Sequence, residues 1–102
     1  DMVSRGLGDV YKRQELGSYN ITVNNVLPGY TKTSRLDELA KSKSLDKKIS
    51  VDKIYNEWAN NNSVKRIGQP EEIANAIIFL CEQLSGYITG QNIIVDGGKL
   101  GI

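Results

Sequence analysis

The chain has 102 residues, of which 39% are hydrophobic, and this size suits one small domain with a single core. Its formal net charge is +1 and its cations are spread along the chain, which argues against a nucleic-acid partner. No apolar run approaches the roughly 20 residues that span a bilayer, and a chain with one cysteine and no histidine has neither Ser-His nor Cys-His catalysis.

The first fourteen residues, DMVSRGLGDVYKRQ, have no periodicity that continues into the following sequence. They resemble translated library-adaptor sequence at the ends of fragmentary reading frames. We therefore predict that residues 1–14 are foreign and that the native domain covers residues 15–102. An ordinary flexible or helical N-terminus is the alternative.

The first predicted strand leads into the most informative motif of the sequence. Residues 15–17 predict a helix tail that ends at Gly17 as a left-handed C-cap. Residues 21–27 are short and rich in branched side chains, and Pro28 and Gly29 end them, as expected for a buried strand. Ligands bind beyond the carboxyl ends of parallel strands, so the stretch VLPGYTKT is a candidate site, with a plain turn as the alternative.

The polar middle of the chain, residues 34–65, predicts two short helices. The stretch SRLD at residues 34–37 resembles a capping box, and Ser50 opens the second helix. Residues 41–48 form a hydrophilic connector between them. Because both apolar faces are narrow, we expect a mobile flap rather than a core element. The aromatic residues of the second helix are interpreted as packing, with contact to an acyl substrate as the alternative: Tyr55 and Trp58.

A third helix is predicted from Pro70 to Leu84, with Pro at its first position and acidic residues in its first turn. Its apolar residues cover more than one stripe, so we expect burial on more than one side. Cys81 on this helix is interpreted as an inert core thiol rather than a redox group. The basic pairs of the chain are interpreted as solvated, with docking of an acidic carrier protein as the alternative: Lys47-Lys48 and Lys65-Arg66.

Residues 88–95 predict a second strand that ends in a turn at Asp96, Gly97 and Gly98. Asp96 is interpreted as a turn residue and not as a metal ligand, because no second carboxylate has suitable spacing. Two strands joined by helices form a parallel βαβ unit. Two strands alone are too few for a stable sheet, so the expected fold class is α/β with an incomplete parallel sheet.

Three blocks carry a family resemblance in the right order: ELGSYNITVNNVLPGYTKT, RIGQPEEIANAIIFL and YITGQNIIVDGG. Together they resemble the C-terminal part of a short-chain dehydrogenase/reductase, close to the 3-oxoacyl-acyl-carrier-protein reductase type. The resemblance implies a Rossmann fold, NAD or NADP as cofactor, and usually a homotetramer. It also implies a small-molecule carbonyl or alcohol substrate, including acyl groups on a carrier. The charge and hydropathy of the chain, as described above, predict no nucleic-acid or membrane partner. A cytoplasmic location is expected.

The resemblance also assigns cofactor-binding roles to four residues. Pro28 and Gly29 match the family's Pro-Gly beside the nicotinamide, where a glycine lets a flat ring approach the backbone. Thr31 lies where the family usually has an aliphatic residue whose backbone N–H holds the carboxamide. Thr33 matches the threonine whose hydroxyl holds the carboxamide or a nearby phosphate oxygen. Residues 34–65 match the flap over the substrate, and the helix from Pro70 matches one that packs between subunits.

The sequence lacks the family's catalytic pair, a tyrosine and a lysine four residues apart on a helix. None of its five tyrosines has lysine at the fourth following position, and the short stretch from Gly6 to Gly8 is not a complete glycine-rich phosphate loop. The sequence therefore predicts no catalytic residue and an inactive fragment of an oxidoreductase. The alternatives are an interaction module that docks on full-length subunits through residues 70–84, or an unstable fragment without function.

Overall fold

The computed structural model describes residues 11–99, in which helices and two parallel strands form an α/β arrangement. In this range the strands pair in one two-stranded sheet, with Val26 opposite Ile93 and Leu27 opposite Ile94. The α/β class and the parallel pairing are confirmed. The strands and the longer helices are, in chain order, β1 (Asn25–Pro28), α1 (Ser34–Lys47), α2 (Val51–Asn60), α3 (Pro70–Cys81) and β2 (Asn92–Val95).

Both strands are shorter than predicted, because side-chain hydrogen bonds take the place of backbone strand pairing at their N-terminal ends. The Asn24 side chain donates to the Ile88 carbonyl at 3.0 Å and accepts from the Gln91 amide at 3.0 Å. Gly90 has a φ of 72°, which interrupts the extended conformation of the second strand. The pairing therefore becomes regular only at Asn25.

The segment before β1 also departs from the prediction. Residues 11–16 are helical, and Gly17–Tyr19 forms a 3-10 turn. The left-handed residue is Asn20, with a φ of 60°, so the prediction of Gly17 as the C-cap is wrong. Asparagine tolerates this conformation because its short polar side chain bonds locally. Most of the predicted foreign segment, residues 1–10, lies outside the described residues.

Helix α1 is longer than predicted and includes most of the predicted connector. It continues to Lys47 and ends at Lys48, whose φ is 55° and whose N–H donates to the Ser44 carbonyl. Residues 34–47 contain neither glycine nor proline, so nothing in the backbone interrupts the helix. Its N-cap is Thr33, one residue before the predicted start of the capping box.

The fully buried hydrophobic residues in the described part of the chain lie in the predicted flap, not at the sheet. They are Ala40 and Ile54, both 0% exposed, and Trp58, which is 5% exposed. The Trp58 ring stacks on Tyr30 with centroids 4.9 Å apart, and it packs T-shaped against Tyr55 with centroids 5.4 Å apart. The packing role of the two α2 aromatics is confirmed. The expectation that this segment is not a core element is wrong, because the two narrow faces cover each other.

Helix α3 covers β1 and β2 but is buried less than predicted. Ile77, Ile78 and Phe79 are 47%, 59% and 51% exposed, and Cys81 is also exposed. The expectations of burial on several sides and of a core thiol are therefore wrong for the described chain. The physical reason is that a two-stranded sheet offers a helix only a narrow surface.

Helix α3 ends at Cys81 and is followed by the 3-10 turn Gln83–Ser85, so it is shorter than predicted. The Ser85 hydroxyl donates to the Phe79 carbonyl at 2.5 Å and closes this end. No helix within residues 11–99 combines the length and the apolar composition needed to cross a bilayer.

Candidate functional site

The carboxyl end of β1 opens into a cleft of about 410 Å³. All four residues predicted to bind a cofactor line this cleft, together with the first residues of α1. The lining residues are Pro28, Gly29, Tyr30, Thr31, Thr33, Arg35, Leu36 and Leu39. The structure thus brings the predicted site residues together at a strand end, where parallel sheets place their ligands.

Gly29 lies where the two strands end side by side. Its amide donates to the Val95 carbonyl at 2.9 Å. A Cβ on residue 29 would lie 2.8 Å from both Cα and Cβ of Asp96, which is closer than real contacts allow. In the structure, glycine is needed at position 29 because the neighbouring chain segment leaves no room for a side chain. The predicted reason was close approach of a flat ring.

Thr31 is held in place by a parallel bridge to Gly68. The Gly68 amide donates to the Tyr30 carbonyl at 2.9 Å, and the Lys32 amide donates to the Gly68 carbonyl at 2.8 Å. In this bridge the N–H of Thr31 itself is directed away from Gly68. The described residues offer that N–H no acceptor, whereas the Thr31 hydroxyl donates to the Gly29 carbonyl at 3.0 Å. The backbone amide of Thr31 is thus the group available to a ligand.

Thr33 caps helix α1 at the edge of the cleft. Its backbone is extended, with φ −132° and ψ 165°, and its hydroxyl oxygen accepts from the Leu36 amide at 3.2 Å. A capping hydroxyl keeps its own hydrogen for another acceptor. Thr33 lies at the positive end of α1, and Arg35 also lines the cleft, so the electrostatics of this edge favour a negatively charged or carbonyl-bearing group.

A polar cluster that sequence reasoning missed lies next to the cleft. The Lys32 ammonium is 2.5 Å from an Asp37 carboxylate oxygen, which also accepts from the Tyr55 hydroxyl. The hydrogen bond from Lys32, and then that from Tyr55, lowers the pKa of Asp37. Burial, and then the hydrogen bond to Asp37, raises the pKa of Tyr55. The alternation of side chains expected in an extended Thr31-Lys32-Thr33 stretch was the signal that could have separated Lys32 from the threonines.

A smaller cavity of about 240 Å³ lies on the other side of Tyr30, where Arg66 and Glu72 form part of its wall. Two guanidinium nitrogens of Arg66 donate to the two carboxylate oxygens of Glu72 at 2.6 and 2.7 Å. Glu72 also accepts from the Gln69 amide at 2.9 Å. The pair fixes the loop before α3 to its first turn.

The Arg66 hydrogen bonds and the Gln69 amide lower the pKa of Glu72 to about 2, from 4.5 in a free chain. A depressed carboxylate pKa stabilises the fold above pH 4.5, and we expect this contribution to disappear as the pH falls from 4.5 towards 2. Carbon-13 NMR titration of the Glu72 carboxylate tests this.

The variant Arg66→Gln should move the Glu72 midpoint upward, because it removes the largest cause of the shift. A Glu71→Gln variant is the matched control, since it changes the neighbouring carboxylate and leaves both partners of Glu72 in place. A wild-type midpoint near 4.5 would contradict the prediction.

Comparison with known proteins finds that the chain is similar to parts of reductases. A family model described as enoyl-(acyl carrier protein) reductase matches residues 11–99. The 3-oxoacyl-[acyl-carrier-protein] reductase of Chlamydia trachomatis is 44% identical over 85 residues, which are 83% of this chain and 30% of that protein. The chain spans about a third of the length of the curated relatives it matches.

Solved structures match the fold over nearly the whole chain. A short chain dehydrogenase family protein from Francisella tularensis superimposes with a TM-score of 0.91 and 30% identity, covering 97% of this chain and 41% of that one. The L-sorbose reductase of Gluconobacter frateurii, solved with NADPH and L-sorbose, gives a TM-score of 0.87 and 29% identity, covering 98% and 38%. The described sheet is therefore similar to one part of a larger α/β fold.

Proposed function

We infer that this chain, which belongs to the short-chain dehydrogenase/reductase family, is the C-terminal portion of an NAD(P)-dependent oxidoreductase. The complete enzyme would transfer hydride between the nicotinamide and a carbonyl or secondary alcohol, chemistry that the cofactor supplies. The observation that carries this proposal is the cleft that Pro28, Gly29, Thr31 and Thr33 line together.

The residues of the cleft fit the nicotinamide end of NAD or NADP. The Thr31 amide, for which the described residues hold no acceptor, would donate to the carboxamide oxygen. The Thr33 hydroxyl would donate to the carboxamide or to a phosphate oxygen, which the positive end of α1 and Arg35 would favour. Pro28 and Gly29 would form the wall beside the ring.

The substrate of the whole enzyme is proposed to be a small carbonyl compound or alcohol, including a carrier-bound acyl group. The similarity to the 3-oxoacyl-[acyl-carrier-protein] reductase of Chlamydia trachomatis supports the acyl substrate. A cytoplasmic homotetramer is the proposed assembly. The exposed apolar side of α3, with Ile77, Ile78 and Phe79, is consistent with a helix that packs between subunits.

Hydride transfer needs a proton donor for the carbonyl oxygen, and no tyrosine of this sequence has lysine four positions later. We propose that the chain supplies cofactor contacts and the flap, formed by residues 34–65, without catalysing the reaction alone. Residues 34–65 would then cover the nicotinamide and exclude water from it.

The cofactor contact is tested by replacing Thr31 with proline, which removes the amide N–H, and with valine, which removes only the hydroxyl. We expect nicotinamide mononucleotide, titrated into the full chain, to bind roughly tenfold more weakly to Thr31→Pro, since one hydrogen bond is lost. Thr31→Val should bind like the wild type. Shifts of the Thr33 and Leu36 amides in ¹⁵N NMR spectra measure the binding.

Ribose 5-phosphate, which lacks the nicotinamide, is the control ligand for this titration. It should leave the amide of residue 31 unshifted in the wild type and in Thr31→Val. Equal binding of the mononucleotide to the proline and valine variants would show that the Thr31 amide holds no carboxamide. Absence of any shift with the wild-type chain would remove the cofactor site itself.

A further inference from the structure

The segment that follows β1 presents different side chains to the cleft and to the flap helices. Thr31 and Thr33 line the cleft, whereas Lys32 between them does not. Extended segments direct successive side chains to opposite sides. The Lys32 side chain therefore lies on the side of this segment that faces away from the cleft.

Lys32 is fixed by one residue from each flap helix. Asp37, in the first turn of α1, lies 2.5 Å from the Lys32 ammonium. Tyr55, in α2, donates its hydroxyl to the same Asp37 oxygen, and the Lys32 ammonium lies 5.3 Å from the centre of its ring. The Tyr55 ring also packs against the buried Trp58 in a T-shaped arrangement. The cluster thus links the threonine segment to the core of the described chain.

We propose that Asp37 and Tyr55 are positioning residues for the cleft, which keep the Thr31 amide and the Thr33 hydroxyl in place by holding Lys32 against α2. The inference rests on the proposed function in its reference to a cofactor. The loop-holding part of it concerns only contacts within this chain.

Several observations support a positioning role rather than a plain surface ion pair. An exposed pair of two flexible side chains contributes little, because it loses side-chain entropy and is screened by salt. Here the carboxylate accepts from two donors at once, and the hydroxyl belongs to a ring that Trp58 already orders. Asp37 also lies in the helix that Thr33 caps, so the cluster and the cap restrain the same short segment. A ligand that meets a restrained segment loses less entropy on binding.

The variant Tyr55→Phe tests the loop-holding part, because it removes one hydroxyl and keeps the ring in the core. We expect amide hydrogen exchange at Lys32 and Leu36 to become roughly fivefold faster, the size of effect that a lost hydrogen bond gives. Exchange at Ile54 should stay at the wild-type rate. Tyr19→Phe is the matched control, since Tyr19 is 72% exposed and its exchange pattern should remain that of the wild type.

The second variant, Asp37→Asn, removes the charge and should give the same selective change at Lys32 and Leu36. Unchanged exchange at both amides in both variants would overturn the proposal. An equal acceleration at Ile54 would also overturn it, because the cluster would then support the fold as a whole and not the segment. For both variants, the exchange rates test the restraint on the segment without any ligand.

Titration with nicotinamide mononucleotide separates this inference from the proposed function. We expect Tyr55→Phe to bind the mononucleotide several-fold more weakly than Tyr19→Phe, with the same limiting shift of the Thr33 amide. Equal affinity of the two variants would overturn the positioning role while the cofactor site stands. If the wild-type chain binds no mononucleotide, the proposed function fails, and the exchange rates alone confirm or overturn the restraint on the segment.

Discussion

Replacing Trp58 with alanine should lower the free energy of unfolding by about 3–5 kcal/mol, the range for removing a large aromatic side chain from a core. Trp58 is 5% exposed and packs beside Ile54 and Ala40, the fully buried residues of the described chain. It also stacks on Tyr30, which follows the strand end. Urea unfolding followed by far-ultraviolet circular dichroism measures the loss.

Leu45→Ala is the matched control for this prediction, since Leu45 is 80% exposed on α1 and should change stability by less than about 0.5 kcal/mol. A small loss for Trp58→Ala, similar to that of the control, would mean that α1 and α2 form a loosely attached flap. A cooperative wild-type transition would in turn contradict the alternative that the chain is an unstable fragment.

Local signals in the sequence predicted where the helices begin. Ser50 caps α2 by accepting from the Lys53 amide at 3.2 Å, and Pro70 opens α3 with acidic residues in its first turn. Both predictions are confirmed, because caps and N-terminal prolines act within one turn of the chain. The C-terminal ends of the helices were predicted less accurately. The connector was predicted from its polarity, yet straight-chain polar residues form helices well, and α1 includes most of it.

Burial could not be predicted from the same signals, because it depends on which elements meet. The apolar faces of α1 and α2 are narrow, but each covers the other. Trp58 also stacks on Tyr30, which is distant from it in the sequence. Helix α3 is strongly apolar, but the described chain offers it only two strands. Periodicity reports the width of a face and not the surface that covers it.

The cleft was predicted from the rule that ligands bind at the ends of parallel strands, together with the family resemblance. Asp37 and Tyr55 were outside the reach of that rule, since they are 18 positions apart and on different helices. Their meeting with Lys32 depends on how the two helices pack. Site residues at the end of the strand could therefore be predicted from the sequence. Those whose positions depend on the packing of α1 against α2 could not.

Gly29 has two explanations that differ in what they require of the fold. If Gly29 were needed only for close approach of the nicotinamide ring, an added methyl group would not change the stability of the fold. In the structure, however, that methyl group would lie 2.8 Å from the backbone Cα of Asp96. This backbone atom directly follows the paired strand β2, so it cannot move aside as a flexible side chain can.

We therefore expect Gly29→Ala to lower the free energy of unfolding by about 1–3 kcal/mol, the typical cost of inserting a methyl group into packed structure. Its binding of nicotinamide mononucleotide should also weaken, because the displaced strand end forms one wall of the cleft. Gly17→Ala is the matched control: a Cβ there meets nothing within 4 Å, so its urea midpoint should equal or slightly exceed that of the wild type. If Gly29→Ala kept the wild-type midpoint and lost only mononucleotide binding, ring approach alone would explain the glycine, and the close contact with Asp96 would not.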